Sequence, residues 1–109
     1  MSAIEIVQEG AMLPTVVMSF FAGLFAANAT PHFVKGITKE HFPSAFGSGP
    51  LPNLLAGWAS YVIAALLAWG AGVGERPVAA FAAAALGALV IGVFHATAGA
   101  FGKRPPAGA

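Results

Sequence analysis

The chain has 109 residues, 58% of them hydrophobic and 8% charged, with a formal net charge of +1 and a mean hydropathy of +0.80. A soluble domain carries about 25% charged residues, so this composition argues against a soluble enzyme or a disordered tail and for a membrane protein. The near-zero charge offers no basic surface for nucleic acid, and the absence of cysteine excludes disulfides, thiolate metal sites and cysteine nucleophiles.

The charges fall at four places: Glu5 and Glu9; Lys35, Lys39 and Glu40; Glu75 and Arg76; Lys103 and Arg104. Between them lie the charge-free stretches 10–34, 41–74 and 77–102. About 20 apolar residues cross the roughly 30 Å hydrocarbon core of a bilayer. The pattern therefore predicts one all-α integral membrane domain over 1–109. Its three transmembrane helices are expected near 12–31, 52–73 and 78–101, with a flexible tail over 103–109.

In the first span, Pro14 falls in the first turn, where its missing N–H costs little. Thr15, Ser19, Ala22 or Gly23, and Ala26 make a small, polar side, and Phe20, Phe21, Leu24 and Phe25 lie elsewhere. Ala27-Asn28-Ala29 looks like a signal-peptide cleavage site. The acidic start without Lys or Arg, and the long apolar run, point instead to a retained helix. Pro31 disfavours helical geometry at Thr30 and is expected to end the span.

The next segment, to Pro50, reads as an interfacial first loop. Phe33, Val34, Ile37, Phe42 and Phe46 alternate with Lys35, Lys39 and Glu40, a pattern that lays rings in the lipid boundary and lysines at headgroups. Pro31, Phe33, Lys35, Phe42 and Phe46 are the candidate docking residues for a partner, the alternative being a plain connector. The second span carries Asn53, Gly57, Tyr61, Ala64 and Ala68 on one side, with Trp58 and Trp69 toward the two interfaces. The third repeats Ala84, Ala88, Gly92, Ala96 and Ala100, a small-residue stripe where another helix can approach. An alanine-rich chain, 25 Ala in 109, also produces such stripes by chance.

No Asp, Glu, Lys or Arg lies within a span, and an ionisable residue at membrane depth is what a proton-coupled carrier needs. The histidines remain. His95 lies inside the third span and His32 closes the first. A neutral imidazole can ligate a haem iron or a chlorophyll magnesium, or it can simply hydrogen-bond a neighbouring helix; both readings stay open. No resident metal and no catalytic set is expected. Four of the five basic residues fall in the first loop and the C-terminal tail. The positive-inside rule then sets the C-terminus in the cytoplasm and the N-terminus in the periplasm.

The run Asn28…Pro31-His32-Phe33…Gly36…Phe42-Pro43…Phe46-Gly47, continuing through Pro52-Asn53 and Gly57-Trp58, resembles the signature of a family of small three-span bacterial membrane proteins of mostly unassigned function. Length and layout also resemble the protein W family, accessory subunits of purple-bacterial reaction-centre and light-harvesting core complexes. That resemblance implies a non-catalytic subunit in the bacterial inner (intracytoplasmic) membrane. It would occupy a gap in the antenna ring and keep it open for quinone and quinol exchange. It also implies light-harvesting and reaction-centre partners and surrounding lipid. The subunit would have no cofactor of its own, with quinone and bacteriochlorophyll nearby in the complex. The alternatives are a histidine-ligated haem or pigment protein, and a small homo-oligomer packed through the third span.

Overall fold

The computed structural model describes residues 2–102. It contains three helices and no strand among them: α1 Ala3–Ile37, α2 Pro50–Gly70 and α3 Pro77–Ala98. All three are long and apolar enough to cross a membrane. The described part is a slab of 63 × 23 × 17 Å. Helix α1 is its spine: α2 and α3 each pack on α1, and not on one another.

Helix α1 is longer than expected at both ends. Ser2 opens it with a capping box: its hydroxyl accepts from the Glu5 amide at 3.1 Å, and the Glu5 carboxylate accepts from the Ser2 amide at 2.7 Å. Pro14 therefore lies inside the helix rather than in its first turn. Pro31 does not end it either. Proline removes one ladder hydrogen bond and crowds the carbonyl four residues back, but the surrounding contacts carry the helix through. The Thr30 hydroxyl donates to the Ala26 carbonyl at 3.0 Å, and the Tyr61 hydroxyl of α2 lies 3.0 Å from Thr30 Oγ1. At 35 residues, α1 is roughly 52 Å long at about 1.5 Å per residue. Thr15 sits beside Gly72 in the α2–α3 turn, so the turns before it project beyond the other two helices.

Glycines set the close approaches. A Cβ on Gly57 would stand 2.6 Å from the Phe33 amide nitrogen, and one on Gly36 would stand 2.6 Å from that of Leu54. On the other flank, a Cβ on Gly23 or Gly87 would fall 2.0 Å from the carbonyl oxygen of Ala84 or Phe20. Small side chains let helix backbones touch where lipid offers no hydrophobic drive for association. The α1 face bearing Thr15, Ser19, Ala22 and Ala29 is buried. On α3 the buried residues are Ala80, Ala83 and Gly87.

The α1 contact uses only the first part of the small-residue stripe. Ala84 and Ala88 are half-buried, but Gly92 and Ala96 are exposed, and nothing lies within 4 Å of a Cβ on Gly92. A row of i+4 steps rotates about 40° per step around a helix of 3.6 residues per turn. The row from Ala84 to Ala96 has therefore turned by about 120° and left the α1 contact.

The α1–α2 connector begins with a Schellman-type stop. The Glu40 amide donates to Lys35 O at 2.9 Å and the Lys39 amide to Gly36 O at 3.3 Å, with Lys39 in the left-handed region at φ 59°. Lys35 Nζ lies 3.6 Å from Glu40 Oε1, and the Thr38 hydroxyl 2.7 Å from Glu40 Oε2. The Thr38 hydroxyl, then the Lys35 charge, hold the Glu40 carboxyl below the ordinary glutamate range. A depressed folded pKa stabilises the fold above the unfolded pKa, and this is lost as pH falls through the folded value. Glu40→Gln is therefore expected to flatten the acid limb of a thermal-stability profile and to lower the limb above neutrality slightly without changing its slope. The size is small because the group is fully exposed. An unchanged acid limb in the variant would assign it to other groups. Pro31, Phe33 and Lys35, expected in the loop, belong instead to α1.

Candidate functional site

The polar side chains gather at the end of the slab where α1 and α3 finish and α2 begins. Asn53 stands in the first turn of α2, behind Gly49 as N-cap and Pro50 at the first helical position. Prolines at a helix start lose no ladder bond, so this turn forms despite Pro50 and Pro52. Asn53 has no exposed surface. Its Nδ2 lies 2.7 Å from Phe42 O, 2.9 Å from Gly49 O and 3.2 Å from Ser48 O. One amide group thereby ties the connector to α2.

That geometry fixes the next residue. Three carbonyls around one Asn53 atom identify it as the NH2 group, which makes the other, Oδ1, an acceptor. His32 Nδ1 lies 2.7 Å from Oδ1 and must carry the proton. In neutral His32 the lone pair is then on Nε2, for which no partner exists among the described residues.

His95 is held differently. Its Nδ1 lies 2.5 Å from Gly99 O and its Nε2 3.0 Å from Asn28 Oδ1. Asn28 Nδ2 lies 3.4 Å from Ser60 Oγ on α2. Nδ1 donates to the Gly99 carbonyl. Turning the Asn28 amide over lets its NH2 donate to Nε2 and the Ser60 hydroxyl donate to its oxygen. This satisfies every group without placing a charge among apolar helices. The chain Gly99–His95–Asn28–Ser60 thus links all three helices through side chains.

Aromatic rings close the cluster. The His32 and His95 centroids are 5.9 Å apart, and Phe42 lies 5.3 Å from His32 and 6.3 Å from His95. Phe94 stands 5.5 Å from His95 and stacks on Phe101 at 4.5 Å. Beside them opens a cavity of about 250 Å³ lined by His32, Asn28, Ser60, Ser44, Phe46, Phe94, Phe101, Ile63 and three alanines. At the other end of the slab, a smaller cavity of about 190 Å³ is lined by Ser19, Val73, Pro77 and Phe81. Ser19 Oγ is buried there without a partner. A shallow groove against Pro31 and His95 takes in Gly92 and Ala96.

Of the two histidines singled out from sequence, then, His95 has both nitrogens engaged, and His32 keeps the available lone pair. His41 is exposed in the connector. No group of three or more metal-ligating side chains exists among the described residues. The docking-loop residues disperse. Phe33 packs on Tyr61 at 5.7 Å, Lys35 pairs with Glu40, and Phe42 turns inward onto His32. Phe46 is 61% exposed at the cavity rim. The tail 103–109 lies outside the described residues. Asn28, Ser44 and Ser60 were not legible as site residues. Their signal is a polar side chain in an apolar helix or glycine-rich turn, which becomes specific only when the partner helix is in place.

The fold and the cluster define a multi-pass membrane protein with three spanning helices tied at one end by side-chain hydrogen bonds. Comparison with family models, curated proteins and solved structures finds no match.

Proposed function

We propose that the chain is a non-catalytic accessory subunit of a larger membrane complex. The observation that carries this reading is the slab's two apolar flanks. Leu55, Trp58, Leu66 and Trp69 on α2, and Val78, Phe81, Leu89 and Val93 on α3, are all uncovered by the chain itself. Helices that do not pack on one another leave these flanks for lipid and for neighbouring helices. The buried amides and hydroxyls, meanwhile, hold the three helices together rather than forming a catalytic set.

The specific case proposed is the photosynthetic reaction-centre and light-harvesting core complex, in the bacterial inner (intracytoplasmic) membrane. There the subunit would fill a gap in the antenna ring and keep a passage for quinone and quinol, the bacteriochlorophyll being bound by its partners. This rests on the resemblance of length and three-span layout to the protein W family. The basic Lys35 and Lys39 lie at the end where α3 finishes, which supports a cytoplasmic C-terminus and a periplasmic N-terminus.

The test is gentle solubilisation of native membranes through an affinity tag, with an absorption spectrum and subunit masses of what is retained. Retention of bacteriochlorophyll absorption together with reaction-centre and antenna polypeptides is expected. A colourless protein recovered alone would overturn the photosynthetic assignment.

A further inference from the structure

We propose that the cavity beside His32 binds a lipid-soluble molecule with a hydroxylated aromatic head and an apolar tail, held by donation of its hydroxyl to His32 Nε2. This goes beyond the accessory-subunit reading and does not depend on it.

Three observations carry the assignment. First, His32 is only 6% exposed, and its Nε2 has no partner among the described residues. Nε2 is not one of the fully buried unpartnered atoms: it keeps surface that a donor can reach, and a hydrogen bond made there is worth about 1 kcal/mol. Second, the sign of the missing partner is fixed. The three carbonyls around Asn53 Nδ2 force Nδ1 of His32 to be the donor, so Nε2 can only accept. The ligand must therefore bring an O–H or N–H, and an ether or ketone of the same shape does not suffice. Third, Asn53 is not part of the cavity wall whereas His32 is. We place Nε2 on the cavity side of the ring, away from the Asn53 contact at Nδ1.

The rest of the wall specifies the body of the ligand. Phe46, Phe94 and Phe101 offer ring faces and edges, and Ile63 with the alanines of α2 continues the wall as aliphatic surface. Aromatic walls with few convergent polar atoms select a ring with one or two polar substituents. About 250 Å³ admits a phenol-sized head. The wall draws on α1, α2 and α3, whose outer faces are apolar, so a tail that leaves between them meets lipid.

The experiment uses the full chain in detergent micelles with 15N-labelled histidine, titrated with 4-hexylphenol and, separately, with 4-hexylanisole. The two probes share ring and tail and differ in the hydroxyl proton. The phenol is expected to move the unprotonated Nε2 resonance of His32 upfield to saturation. The anisole should bind about 5- to 10-fold more weakly, as the loss of one hydrogen bond predicts, and leave that resonance in place. Ala59→Leu, which adds bulk to the cavity wall on α2, should abolish the phenol response while the Nδ1–H signal bonded to Asn53 persists. Equal shifts from both probes, no shift with the phenol, or an Ala59→Leu variant that responds like the native chain would each overturn the proposal. Should Ala59→Leu fail to fold, the phenol and anisole titrations of the native chain decide alone.

Discussion

Asn53→Ala is expected to lower the stability of the folded chain by about 3 kcal/mol, since each buried group left unpaired costs roughly 1–3 kcal/mol. The variant loses the donor shared by the carbonyls of Phe42, Ser48 and Gly49, and the acceptor of His32 Nδ1. Hydrogen bonds between membrane helices average only about 0.6 kcal/mol when one pair is removed. Here one residue leaves two groups without a partner, the Phe42 carbonyl and His32 Nδ1, while the Ser48 and Gly49 carbonyls keep the backbone amides of Phe42 and Asn53. Asn53→Asp separates donor loss from lost volume. It keeps the shape but aims a carboxylate at three carbonyl oxygens, and should be no more stable than the alanine variant. Thermal denaturation in detergent, followed by helical circular dichroism, measures both. In the same samples the histidine nitrogen spectrum should show His32 losing its preference for the Nδ1–H form. An aspartate variant as stable as the native chain would show that the carbonyls do not depend on Asn53.

The membrane class and the number of spans were legible because charge is expensive in lipid: nine charged residues at four places mark where the chain leaves the bilayer. The ends of α2 and α3 followed, each within three residues, because charged residues and the Pro- and Gly-rich connector bracket them. The ends of α1 did not. Charge and bilayer thickness place its start near 12, but the capping box of Ser2 and Glu5 begins it at Ala3 whatever the depth. Proline rules place its stop at Pro31. The contacts of Thr30 with Ala26 and Tyr61 outweigh that local preference, and tertiary contacts are invisible to a dipeptide rule.

The buried side of α1 was read correctly at Thr15, Ser19 and Ala22 because polar and small residues recur there among phenylalanines. On α3 every face is alanine or glycine somewhere, so periodicity alone could not choose. The histidines stood out as the ionisable residues near the spans. Which of them keeps a free lone pair depends on Asn53 and Asn28, whose partners lie 21 and 67 positions away.

Replacing Gly87 by leucine should destabilise the protein by about 3 kcal/mol or more, whereas the same change at Gly92 should stay within about 0.5 kcal/mol of the native chain. A Cβ on Gly87 meets Phe20 O at 2.0 Å, its carbon at 2.9 Å and Leu24 N at 3.0 Å. These are backbone atoms of α1, which no rotamer change can move. Helix α3 would have to withdraw by more than an ångström to restore ordinary contact. That would open the reciprocal seat of Gly23 on Ala84 and stretch the His95–Asn28 bond further along the same interface. Gly92, one and a half turns later, has open space around its added side chain. The pair therefore distinguishes two uses of small residues on one helix. If α1 is what α3 packs against, Gly87→Leu alone lowers the melting temperature and broadens the His95 signals. If the Ala84–Ala96 stripe were instead seated on a second copy or another subunit, Gly92→Leu would leave the monomer folded and release that neighbour. Size exclusion in mild detergent, run beside the melting curve, reads the two effects separately.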